Sequence, residues 1–183
     1  HYCEGWHDNY QKRILGVEYD PNQPPLADGK KVFDLVAFHP GTARHVCKKL
    51  CQRFVSDNPP ESLIERITSV WRMNQNQPDQ IKRTVKAILL SPEFALSYGQ
   101  KVKNPMELIV SFLRATSADV RPNWNMTWYV YLMGYMLFQY PPPTGHPDKT
   151  SHWLSTNVML GRWNTLLYLQ SDWMGAATFN LRE

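Results

Sequence analysis

Cysteine is scarce in this chain: Cys3, Cys47 and Cys51 are the only three in 183 residues. Any single bridge leaves one thiol over, so the count alone does not fix the redox compartment. No Gly-x-Ser-x-Gly elbow and no glycine-rich phosphate loop is present, which removes the usual signatures of a serine hydrolase and of a nucleotide cradle. Low-complexity runs are absent, and no stretch alternates like a surface strand, so the pattern points to an all-α fold. Long apolar runs are also missing. The longest, Trp124 to Gln139, barely reaches spanning length, contains Asn125 and Thr127, and has no basic flank on its carboxyl side. It reads as a central buried helix, with no transmembrane span expected. The chain opens on His1 with neither an initiator methionine nor a charged-then-apolar leader, as expected for a processed product or a fragment.

What is present is unevenly apportioned. Aromatic residues make up 13% of the chain, with seven tryptophans and nine tyrosines, beside 43% hydrophobic and 20% charged residues. This is the composition of a folded protein, and the length suits a single helical domain over 1–183 with one well-buried core. The net charge of +4 is a bias toward anionic partners, though spread over separate helical faces. Arg44, Lys48, Lys49 and Arg53 flank one side of a helix. Aromatics do not interleave with them as a single-strand binder requires, so no nucleic-acid partner is expected.

Periodicity and capping signals predict an irregular bundle of about seven helices joined by long proline-rich loops. Residues 1–27 form an irregular lead-in with a short helix from Tyr10 to Leu15, capped by Asp8 or Asn9 and ended by Gly16. Amphipathic helices fill 28–120. Asp28 opens the first, and Thr42 caps a second that carries Cys47 and Cys51 on its apolar face with Val46, Leu50 and Phe54, which predicts two reduced, buried thiols. Further helices follow Pro60, Asp79, Ser91 and Asn104, the last with Asn104-Pro105-Met106-Glu107 as a capping box. The stretch 121–183 holds the two-faced helix from Trp124, a proline-rich loop, and a last helix capped by Ser155 or Thr156.

Core packing does not explain that loop, Phe138 to Trp153, with its four prolines, one glycine, two histidines and an aspartate. Prolines 141 to 143 stiffen the chain and Gly145 permits a sharp turn. The expected result is a rigid loop that presents His146 and Asp148 at the mouth of a pocket roofed by Tyr140 and Trp153. Gly145, His146, Tyr140 and Trp153 are therefore the candidate binding residues. His146, Asp148 and His152 supply imidazole and carboxylate ligands in one loop, suiting zinc or another divalent ion, against the plainer reading of solvated or capping polar groups. His7 and Asp8 are weak catalytic candidates, since a carboxylate beside an imidazole can orient a general base; Asp8 as a helix cap is the plainer reading.

Several segments together carry a likeness to a known family. His7-Asp8 with Lys12 and Leu15-Gly16, then FHPGTARHVCKKLCQRFVSD, AILLSPEF, KVKNPMELIVSFLRA, and MGYMLFQYPPPTGHPD with Trp153 and Arg162, resemble in order and spacing the bacterial domain-of-unknown-function family 1800. The resemblance implies a mostly helical fold and an exported protein, periplasmic or extracellular. It also implies that this chain is the carboxyl-terminal half of the usual domain, packing against the rest of its own full-length chain. Between Gly145 and Pro147 the family pattern leads one to expect an aromatic where His146 stands.

The family carries no established activity, so the biochemical function is read from the residues alone. The leading expectation is a binding or scaffold module of an exported bacterial protein, with a polysaccharide partner, because rigid aromatic faces stack on the apolar faces of sugars. The alternative is a metal-assisted hydrolase, with the loop histidines and Asp148 completed by an absent amino-terminal half.

Overall fold

Apolar residues recurring three and four positions apart build the helices of this chain, as the sequence predicts, in a computed structural model that describes residues 3–171, Gly175 and residues 177–178. The described residues hold eight α-helices and four short strands, a mostly helical fold. No helix among them is long and apolar enough to cross a membrane. Contacts divide the chain into two units, His1–Phe54 with Pro59–Ser91, and Val55–Asn58 with Pro92–Glu183.

The first unit begins with a correction. The helix expected over Tyr10 to Leu15 is instead an antiparallel hairpin of β1 (Lys12–Ile14) and β2 (Val17–Tyr19). Leu15 and Gly16 form its two-residue turn, both with positive φ (50° and 83°), the geometry that matches the twist of paired strands. Gly16 thus reverses the chain where the sequence has it end a helix. Helix α1 (Ala27–Phe38) follows with no buried residue and Asp28 in its first turn. Helix α2 (Pro40–Phe54) starts two residues before the expected Thr42 cap. Pro40 sits at its head, where it loses no hydrogen bond, and His39 Nδ1 accepts from the Gly41 amide at 3.0 Å as the cap.

Helices α2, α3 (Glu61–Met73) and α4 (Gln80–Leu89) pack together. Their core draws Ala43, Cys47 and Cys51 from α2, Leu63 and Ile67 from α3, and Ile88 from α4. Neither α2 thiol takes part in a disulfide and both are fully buried; burial pushes the Cys47 thiol above its ordinary value, so that thiol is not poised as a thiolate.

In the second unit, α5 (Pro92–Leu96) is short, and α6 (Pro105–Ala115) opens on the expected capping box. The Asn104 side chain accepts from the Glu107 amide and the Glu107 carboxylate from the Asn104 amide, both at 2.9 Å. Strand β3 (Asp119–Val120) pairs antiparallel with β4 (Ala177–Thr178). Helix α7 (Trp124–Leu132) is seven residues shorter than its apolar pattern suggests. Gly134, at φ 78°, ends it: its amide donates to Tyr131 O at 2.8 Å and the Tyr135 amide to Val130 O at 3.2 Å, the paired bonds of a glycine-terminated helix. Nor is α7 covered all round, for Trp124 is 75% exposed and Trp128 47%. Helix α8 (Thr156–Gln170) is capped by Ser155, whose hydroxyl accepts from the Val158 amide. The core between α6, α7, α8 and β4 is Ile109, Leu113, Val130, Met133, Leu169 and Ala177.

Candidate functional site

The loop from Phe138 to Trp153 is ordered by its own rings and by one carboxylate. The Gly145 amide donates to Pro142 O at 3.2 Å, closing a turn at which Gly145 has φ 75°. This swings His146 inward. Its ring lies nearly parallel to Tyr135, centroids 4.0 Å apart and planes 12° apart, with Tyr140 at 4.4 Å and Trp153 at 6.1 Å. His146 Nε2 donates to the Met136 carbonyl at 2.9 Å, which assigns the ring proton to Nε2. Nδ1 is buried without a hydrogen-bond partner among the described residues. Trp153 is 2% exposed and donates its indole N–H to Pro147 O at 3.1 Å, while His152 meets it edge-on at 4.6 Å.

Asp57 ties the loop down from across the unit. Its Oδ1 pairs with Lys101 Nζ at 2.9 Å and its Oδ2 accepts from the Thr150 amide at 2.6 Å; Lys101 Nζ also donates to Asp148 O at 3.2 Å. Burial alone would raise the Asp57 carboxyl, but Lys101 and Thr150 outweigh it and hold the group below the usual carboxylate value. Arg162 is a second tether. It is buried on α8, its Nη2 donates to Lys103 O at 2.6 Å, and burial lowers its pKa from the ordinary value.

The candidate binding residues Tyr140, His146 and Trp153 do come together. They make a packed aromatic box around an imidazole that faces inward, not a pocket with His146 at its mouth. His146, Asp148 and His152 do not form a metal-ligand group; no cluster of three His, Cys, Asp or Glu side chains able to hold a metal occurs among the described residues. The concave surface lies along α7 and the chain just after it. A groove of about 250 Å³ is lined by Trp124, Thr127, Trp128, Tyr131, Tyr135 and Gln139, together with apolar Met136 and Leu137. Trp128 and Tyr131 stack at 5.1 Å, 29° apart, and Tyr135 belongs to both the groove and the box. None of the lining side chains is charged.

The sequence singles out α7 for its two apolar faces and offers its aromatic stripe as core or, less plainly, as the lining of a groove for a planar ligand; the signal that favours the groove is Gly134, which stops the helix and leaves the stripe uncovered. At the amino-terminal candidate, His7 and Asp8 part company. Asp8 Oδ1 accepts from the Tyr10 amide at 3.0 Å, a local turn. The carboxylate that meets His7 is Asp28, with His7 Nε2 at 3.4 Å and Lys12 Nζ at 2.9 Å from the same oxygen. Lys12 holds Asp28 below the usual carboxylate value. His7 Nδ1 lies 3.1 Å from Asn9 Oδ1, so both imidazole nitrogens face oxygens of this chain.

Compared with known proteins, residues 1–181 match the family described as a protein of unknown function, DUF1800. No curated protein and no solved structure matches the chain.

Proposed function

We propose, for a chain that belongs to the DUF1800 family of proteins of unknown function, that it is a carbohydrate-binding module of an exported protein, with the α7 groove receiving a neutral polysaccharide segment. The observation that carries this reading is the groove's lining: four aromatic side chains, Met136 and Leu137, the hydroxyls of Thr127, Tyr131 and Tyr135, one amide and no charge. Flat rings offer apolar area at low entropic cost, and sugar rings present C–H faces to them. Thr127 and Gln139 supply neutral donors and acceptors of the kind that sugar hydroxyls take. An anionic ligand would find no cation there.

Beside the groove, the box around His146 and the Asp57 tether hold the following loop in one conformation, so less ordering cost is incurred on binding. The test is titration of neutral oligosaccharides, β-glucan and mannan fragments included, followed by tryptophan fluorescence. Trp128→Ala is expected to weaken the best binder by about tenfold, in line with loss of an aromatic stacking contact of ~1 kcal/mol or more. Binding indifferent to Trp128→Ala and to Trp124→Ala, or no binding across the panel, overturns the reading.

A further inference from the structure

All of the net positive charge falls in the first unit. Its segments carry 13 Lys and Arg against 9 Asp and Glu, whereas the second unit has seven of each. Within the first unit, α2 is the extreme, with four Lys and Arg, one exposed histidine and no acidic residue. His45, Lys48, Lys49 and Gln52 are spaced three, four and seven apart, which places them on one face of the helix. They line a hollow of about 230 Å³. The opposite face carries Ala43, Cys47 and Cys51 into the core, so the backbone beneath the hollow is fixed by packing.

The chemistry of this face selects its partner. Its lysines are point charges on flexible stems, suited to carboxylate, sulfate or phosphate groups that repeat along a chain. No Phe, Tyr or Trp lines the hollow, and the single imidazole of His45 is no row of rings on which successive bases of a single strand could stack. Neither arginine of α2 lines the hollow, and Arg44 is engaged by Glu61, so no guanidinium fork is presented there to base edges. No apolar side chain lines the hollow either, so nothing there would insert into a lipid surface. The four residues span about 10 Å along the helix, room for two or three anionic groups.

We propose that the His45–Lys48–Lys49–Gln52 face of α2 is a docking surface for an acidic polysaccharide. This is independent of the α7 groove and of its neutral ligand.

The test uses the full-length protein and polygalacturonate as probe, with anionic-lipid vesicles and a single-stranded oligonucleotide run in parallel at the same salt. Polygalacturonate binding is expected to fall about tenfold between 50 and 200 mM salt, as two or three neutralised charges imply. The double variant Lys48→Glu/Lys49→Glu is expected to lose at least tenfold in affinity. Lys82→Glu/Lys86→Glu, an equal change in charge on α4, is expected to lose less than threefold. Should Lys48→Glu/Lys49→Glu misfold by circular dichroism, Lys48→Gln/Lys49→Gln takes its place with the same expected order. Equal losses from the two pairs would make the binding a property of net charge and overturn the proposal, as would tighter binding to the vesicles or the oligonucleotide. Trp128→Ala is expected to leave polygalacturonate binding unchanged, which separates this result from failure of the groove reading.

Discussion

The two units of this chain bury their apolar residues by different means. The first packs three amphipathic helices around aliphatic and thiol side chains, and holds 8 of the 23 aromatic residues. The second is electrically neutral, holds the other 15, and interrupts its helices with a long ring-filled loop. In the first, the buried polar side chains of α3 and α4 are hydroxyls bonded back to their own helix, Thr68 and Thr84, and the charged groups of α2 lie on its outer face. In the second, polar groups are drawn inward as tethers, Asp57 and Arg162 among them, and the rings left over form a surface. Regular helix packing therefore yields a charged outer face, whereas loop-dominated packing yields an aromatic groove. This is why two chemically unlike surfaces arise in one short chain.

The largest effect is expected from breaking the aliphatic core. Ile67→Ala leaves a void among fully buried residues, at a cost of about 2–5 kcal/mol. Urea unfolding should show the lower midpoint, and labelling of Cys47 and Cys51 by a thiol reagent, slow in the native protein, should speed up in proportion. An unchanged labelling rate would mean that the thiols react through a local opening, and the first unit would then lack the single core described above.

A smaller loss, about 1–3 kcal/mol, is expected when the tether of the second unit is cut by Asp57→Asn. Hydrogen exchange at the Thr150 amide, which donates to Asp57, should lose its protection. The pH dependence has a definite sign. Asp57 is held below its ordinary value of 3.8, so it stabilises the folded state above that pH, and the contribution disappears as pH falls through the lowered value. The stability gap between the native protein and Asp57→Asn should accordingly be full well above pH 3.8 and close once the pH has fallen through the lowered value. A gap that persists at low pH would assign the effect to packing rather than to the charge.

The smallest effect sharpens the role of the imidazole. His146→Ala removes a stacked ring and a hydrogen bond and should cost about 1–2 kcal/mol, whereas His146→Phe keeps a flat ring against Tyr135 and should cost under about 1 kcal/mol. If the two variants unfold at the same urea concentration, stacking is not what holds the residue inward.

Much of the fold could be read before any coordinates because its determinants are local. The capping box at Asn104 to Glu107, the buried face of α2 and the Ser155 cap each depend on residues within two turns of one another, whose geometry the helix itself dictates. The hairpin at Lys12 to Tyr19 is just as local, yet its sequence points to a helix, because a short segment fits a helical period and a two-residue turn about equally well. Other features belong to the tertiary structure alone. Asp57 meets Thr150 across 93 residues, and His7 meets Asp28 in preference to its chain neighbour Asp8. His146 turns inward against Tyr135, Tyr140 and Trp153, rings near it in the chain that a proline-rich loop without a regular period brings together. Side chains of one type pattern alike whether they end in water, in a core or against a partner. What separates these outcomes is the closure of long loops, whose entropic cost is offset only by contacts that no single segment contains.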